Sequence, residues 1–264
     1  MKNVAVFCPL FSGSSGNCEY IGYGDSGILI DAGVSAKRII SAMSANGFNP
    51  SSVKAIFITH EHTDHICGLR VFAAKYHIPV FCSYQTKNAL NTDEKIRSSL
   101  FINDFADSIE IGGFTVNRFN TSHDCLGSSG YKITTPDCKI IAVCTDLGYV
   151  SDEVRSSLLG CNAVMLESNH DLSMLRNGPY PISLKKRIAS DTGHLSNNCC
   201  AELLPELVKS GTTRIILGHL SKENNRPKLA YETAEENLSV YGFKADIDYS
   251  LQVASPENGK PIVI

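Results

Sequence analysis

Five apolar stretches, far apart in the chain, each run out on a histidine or an acid. ILID ends at Asp31, AIFITH at His60, IIAVCTD at Asp146 and RIILGH at His219, while TVNRFNTS leads directly into His123. Packing a core gives no reason for that repetition. In sheet-based α/β proteins the loops leaving the carboxyl ends of strands shape the ligand crevice, so the pattern calls for a fold that brings five distant strand ends to one edge. Strands are expected at 4–8, 28–31, 53–59, 79–83, 114–119, 129–134, 140–145, 163–167 and 214–218, each short, rich in Val, Ile or Phe and closed by Gly, Asp, Pro or Ser. Helices are expected at 36–46, 66–76, 152–159, 181–190, 197–209 and 229–240. The fifth has Ser196 as its N-cap, Gly211 past its end and Pro205 to kink it.

The alternation of strands and helices runs through the chain without a repeat, a low-complexity tract or a long linker, so one α/β domain over residues 1–264 is expected. A hydrophobic content of 43% with 19% charged residues excludes wholesale disorder. No apolar run approaches the ~18–20 residues that cross a bilayer, and the first residues lack an export signal, which points to a cytoplasmic protein without membrane contact. Ten cysteines occur without a CxxC pair, so a structural zinc knuckle is not expected and most should be reduced core thiols. A net charge of −3 neither implies nor excludes a strongly charged partner.

The densest chemistry lies in His60-Glu61-His62-Thr63-Asp64-His65. Three imidazoles and a carboxylate presented from one loop suit zinc, manganese or iron. Six of the eight histidines fall in this motif or in TSHD, GHLSN and LGHLS, and His170 in ESNHD makes a seventh. Four or more histidines and two aspartates are too many ligands for one tetrahedral ion, whereas two ions sharing a carboxylate would satisfy them and generate a hydroxide near neutral pH.

HxHxDH after an apolar strand, with LIDAG upstream and a later His, Asp and His, resembles the metallo-β-lactamase-fold hydrolases over roughly residues 11–225. FSGSSGN, ESNHD, GHLSN and GHLSKENN resemble one branch in particular, the YycJ/WalJ-like proteins. That branch is bacterial and cytosolic, is associated with exonuclease activity on DNA, and is related to ribonuclease Z and the β-CASP nucleases. The resemblance implies a four-layer αββα sandwich, two mixed sheets with helices on the outer faces. It also implies two divalent ions per chain, Zn²⁺ or Mn²⁺. His60, His62 and His123 would hold one, and Asp64, His65 and His219 the other. Asp146 would bridge them, and Asp31 would steady a ligating loop. It further implies that His194, beside the N-terminus of the helix capped by Ser196, acts as general acid on the leaving group.

Other residues carry weaker signals. His170 is either a phosphate contact, a variable eighth ligand or a group that orients Asp171 or Glu167. The SGSSGN loop, with Ser15 and Asn17, is either a phosphate cradle or a tight hairpin turn. Asn224 and Asn225 either contact substrate or shape the loop after His219.

Metal-activated hydroxide attacks many bonds, so the substrate does not follow from the fold. A bridging carboxylate, a proton donor at His194 and the basic residues Lys185, Lys186, Arg187, Arg214, Lys222, Arg226 and Lys228 favour phosphodiesters, with DNA as the expected partner. The alternatives are a small-molecule hydrolase acting on thioesters, lactones or cyclic phosphodiesters, and a non-catalytic metal-binding module. Only 57 residues separate His65 from His123, so no inserted β-CASP domain is expected.

Overall fold

Within the strand Ile140–Cys144, Ile141 and Val143 pack among one set of apolar side chains and Ala142 and Cys144 among another. Strands buried on both faces read as unbroken apolar runs, which is why this stretch and Ala163–Glu167 stand out in the sequence. A computed structural model describes residues 3–264; Met1 and Lys2, the first residues of the expected domain, lie outside them.

Two sheets result. The first contains β1 (Ala5–Phe11), β2 (Cys18–Tyr23), β3 (Ser26–Ile30), β4 (Val53–Phe57), β5 (Val80–Cys82) and β6 (Ile102–Asp104) in that spatial order. The second contains β7 (Ser108–Ile111), β8 (Phe114–Asn120), β9 (Ser129–Thr134), β10 (Ile140–Cys144), β11 (Ala163–Glu167), β12 (Arg214–Gly218) and β13 (Ser250–Val253), also in order. A short β14 (Ile262–Val263) returns to pair with β1. Both sheets are mixed: β3 to β6 and β10 to β13 are parallel, the rest antiparallel.

Phe7, Phe57 and Ile30 of the first sheet meet Tyr131, Val143 and Met165 of the second in the layer between them. Outside the first sheet lie α1 (Ala36–Ala45), α2 (Thr63–Ile66), α3 (Leu69–Tyr76), α4 (Tyr84–Leu90) and α5 (Glu94–Arg97). Ile39, Met43 and Phe72 pack there on Leu29 and Ile56. The remaining helices are α6 (Asp152–Leu158), α7 (Leu172–Asn177), α8 (Ile182–Ile188), α9 (Asn197–Lys209) and α10 (Pro227–Val240), of which α6, α9 and α10 cover the second sheet. Leu158, Leu204 and Leu238 cover Val164 and Leu217. This is the four-layer αββα arrangement that the motifs imply. Among the described residues no helix is long and apolar enough to cross a membrane.

Several elements differ from expectation. The helix expected at 66–76 is two pieces, α2 and α3, because the chain must pass close to the β3–α1 loop: a Cβ on Gly68 would lie 2.1 Å from the Val34 carbonyl oxygen. The strand expected at 4–8 continues to Phe11 through an irregular register at Pro9. β2 was not foreseen because Glu19 and Gly22 interrupt its apolar pattern. The Tyr20 ring fills the space over Gly22 and Gly27 instead. α9 runs as one helix through Pro205. All ten cysteines are free, six of them buried.

Candidate metal centre

β8, β10, β11 and β12 all run the same way, as do β3 and β4, so the loops that follow them open at one rim. The motif loop after β4 is laced down before any ion is considered. The Thr59 amide and hydroxyl donate to the two Asp31 carboxylate oxygens at 2.8 and 2.7 Å, and His65 Nδ1 lies 2.7 Å from Asp31 Oδ2. Backbone bonds run from Asn17 to the Asp64 carbonyl (2.9 Å) and from Ala32 to the His65 carbonyl (2.8 Å). Gly33 is obligatory at this crossing, since a Cβ there would sit 1.7 Å from the Asp64 oxygen. Asp31, Asp146 and His219 all turn with positive φ (59°, 59° and 53°), a conformation that L-residues adopt at a cost and that clusters at functional sites.

The potential ligand atoms of His60, His62 and His123 lie within 4.8 Å of one another, and so do those of Asp64, His65 and His219. Asp146 stands between the two triads, with Oδ2 3.4 Å from His65 Nε2 and Oδ1 3.8 Å from His123 Nε2. His60 Nε2 faces His62 Nδ1 at 3.0 Å, and His123 is oriented by its Nδ1 against the Gly193 carbonyl at 3.1 Å. Asp146 Oδ2 and His219 Nε2 are buried with no hydrogen-bond partner. Inward-facing carboxylate oxygen and imidazole nitrogen left without protein partners fit a divalent cation.

Glu167 was missed as a site residue, although it closes the apolar strand β11 just as Asp31 and Asp146 follow theirs. It is fully buried. Its Oε1 accepts from His194 Nδ1 and His219 Nδ1, both at 2.8 Å, and its Oε2 accepts from the amides of Leu147 (3.0 Å) and Leu195 (3.1 Å). Hence one carboxylate sets the orientation of two imidazoles. Asp124 was also passed over: its Oδ1 is 3.3 Å from His123 Nε2, and Arg187 pairs with its other oxygen.

The charges follow the geometry. Burial opposes ionisation of Glu167, but His194 and His219 hold its carboxyl well below the usual range. Burial would lower His194, yet Glu167 and Asp146 raise it. His65 is likewise buried, and Asp31 and Asp146 push it up to about 9. His60, buried among other imidazoles, is held well below its ordinary value. The opposite shifts of His60 and His65 make the two triads electrostatically distinct.

Around the centre is a cleft of about 240 Å³ lined by His62, Asp64, His123, Asp146, His194 and His219, with Tyr180 and Arg187 at its walls. The remaining candidates lie elsewhere. Asn17 is buried, with Oδ1 accepting from Gly13 and Nδ2 3.1 Å from His65 Nε2, so it braces the motif loop. Asn225 is buried in an amide pair with Asn197 and also donates to the Ser168 and Asn169 carbonyls. Asn224 and His170 are buried and do not line the cleft. Ser15 is exposed on the loop between β1 and β2, in an adjoining groove.

An αββα sandwich with this cluster at the shared rim defines a metallo-β-lactamase-fold hydrolase. Residues 27–220 match the family described as the beta-lactamase superfamily domain, and the chain belongs to that superfamily. Two similar relatives are exodeoxyribonuclease YycJ of Bacillus anthracis, 37% identical over 258 residues (95% of this chain and 96% of that protein), and exodeoxyribonuclease WalJ of Streptococcus pneumoniae, 36% identical over 257 residues (96% and 95%). Among solved structures, the metallo-β-lactamase fold protein YhfI from Bacillus subtilis superposes with a TM-score of 0.72 at 15% identity, covering 99% of this chain and 100% of that one. The short form of human tRNase Z gives 0.66 at 13%, covering 97% and 98%. At these identities the two structures speak for the fold alone.

Proposed function

We propose that the protein is a metal-dependent phosphodiesterase that removes nucleotides from the ends of DNA in the cytoplasm, working as one domain with two divalent ions, Zn²⁺ or Mn²⁺. The observation that carries the reading is His194, a proton donor pinned by buried Glu167 at the wall of the cleft that both ligand triads share. The names of the two relatives that match over nearly the whole chain support DNA and attack from an end.

His60, His62 and His123 would hold one ion and Asp64, His65 and His219 the other, with Asp146 between them. Such ions acidify water toward a pKa of about 7 and offset the charge of a phosphodiester. The chain's own residues do the rest. Asp31 and Thr59 fix the ring of His65, and the Gly193 carbonyl fixes that of His123. His194 keeps Nδ1 on Glu167 and uses its other nitrogen to protonate the departing sugar oxygen. Burial works against the protonated ring, but the Glu167 carboxylate at Nδ1 raises its pKa and so favours the form that can give up a proton.

End-labelled duplex DNA incubated with the protein and added Zn²⁺, Mn²⁺ or Mg²⁺ tests this. Wild type should release mononucleotides, and Asp64→Asn should lower the rate by about 100-fold or more. Intact DNA under every metal, alongside hydrolysis of a thioester or lactone, would transfer the site to small molecules.

A further inference from the structure

A second groove, of about 660 Å³, adjoins the cleft and shares Ser14, Tyr180 and Ser221 with it. We infer that this groove carries the polynucleotide on one side of the phosphate being cut, with a base against Tyr180 and the following phosphates at Lys222 and Arg226. The inference rests on the phosphodiesterase reading and adds to it the path of the strand.

The walls are built, not incidental. One is the Ser14–Ser15 loop, carried on Gly13, whose φ is 131° and on which a Cβ would lie 3.2 Å from the Leu220 carbonyl oxygen, leaving little room for a side chain. The other is the turn after His219. There the Ser221 amide donates to the Asn169 carbonyl (2.8 Å), the Asn224 amide to Ser221 Oγ (3.1 Å), and Asn225 is locked into its amide pair. A groove whose sides are already ordered loses little entropy when a flexible strand enters.

The chemistry suits a polyanion with flat bases. Tyr180, half-buried at the junction, offers an aromatic face on which any base can stack. Ser14 and Ser15 are exposed, with hydroxyls to offer sugar and phosphate. Among the described residues neither Lys222 nor Arg226 forms an ion pair, and Arg226 spends only Nη1, on the Lys222 and Asn225 carbonyls. Of the two acids in the groove, Glu257 is paired with Arg38 at 2.9 Å, leaving Glu223 to oppose two free cations. A small substrate confined to the cleft has no use for those cations; successive phosphates do.

Fluorescence anisotropy with a short single-stranded phosphorothioate oligonucleotide and metal-loaded protein reads the contact directly. Each phosphate contact removed should lower the slope of log affinity against log salt by about 0.7, so Lys222→Ala/Arg226→Ala should lose about 1.4 and bind about tenfold more weakly at low salt. Ser15→Asp, on an exposed loop and independent of the turn, should weaken binding and steepen no salt response. Unchanged affinity and slope in both variants, with DNA still cut by wild type, would overturn the groove alone. Failure of wild type to cut DNA would remove the phosphodiesterase reading and the groove with it, and would be seen before any variant is made.

Discussion

A carboxylate sealed from water keeps its charge only when its lone pairs are used, and four donors converge on Glu167: two imidazoles and two backbone amides. Glu167→Gln keeps the shape but turns an NH₂ either toward the Leu147 and Leu195 amides or toward His194 and His219, so it should cost about 1–3 kcal/mol in chemical unfolding. It should also show in the pH profile of turnover. A general acid works only while protonated, and Glu167 is among the groups that hold His194 above its ordinary pKa. Without that charge the alkaline limb of the profile should move to lower pH; an unmoved limb would remove His194 from the proton transfer. Strand-end position in the sequence pointed to Asp31, His60, Asp146 and His219, and Glu167 obeys the same rule. The sequence does not single it out, because spacing cannot tell whether a side chain turns toward a cleft or into the core. His170 turns inward.

The decisive element is the stack of three loops, Ser12–Asn17, Asp31–Gly33 and His60–His65, held by backbone bonds to one another. Its ligands are placed by main chain as much as by side chain. Gly33→Ala would drive a methyl group into the Asp64 carbonyl and should cost about 1–3 kcal/mol in urea denaturation. The same variant should lower metal content by elemental analysis, because Asp64 and His65 ride on the displaced peptide. Retained stability and full metal content would mean the loops are not coupled. LIDAG could be read as a strand and its acid, but the work of its glycine depends on a loop 31 residues later and is invisible in one dimension. Strands such as β10 and β11 were legible because both faces are apolar. β2, with its one glycine roofed by Tyr20, and the two-residue β14 gave no periodic signal.

At the scale of the whole molecule, each triad takes two potential ligands from loops of the first sheet and one from the second: His60 and His62 with His123, Asp64 and His65 with His219. The cluster therefore exists only when the two sheets are packed together, so any ion it holds would be coupled to folding. An ion at 100 times its Kd contributes about 2.7 kcal/mol. Stripping both with a chelator should then lower Tm by on the order of 10 °C, and restoring either Zn²⁺ or Mn²⁺ should recover it. A Tm indifferent to chelation would mean that the cluster holds no ion in solution.

The left-handed turns at Asp31, Asp146 and His219 have a further meaning for how this chain can change over generations. Each position carries a backbone penalty of about 1 kcal/mol that glycine would erase, and at Asp146 a buried, unpartnered oxygen would vanish too. At Asp146, selection for sturdiness alone would favour a hardier but inert descendant, whereas at Asp31 and His219 the bonds lost to Thr59, His65 and Glu167 would offset the gain.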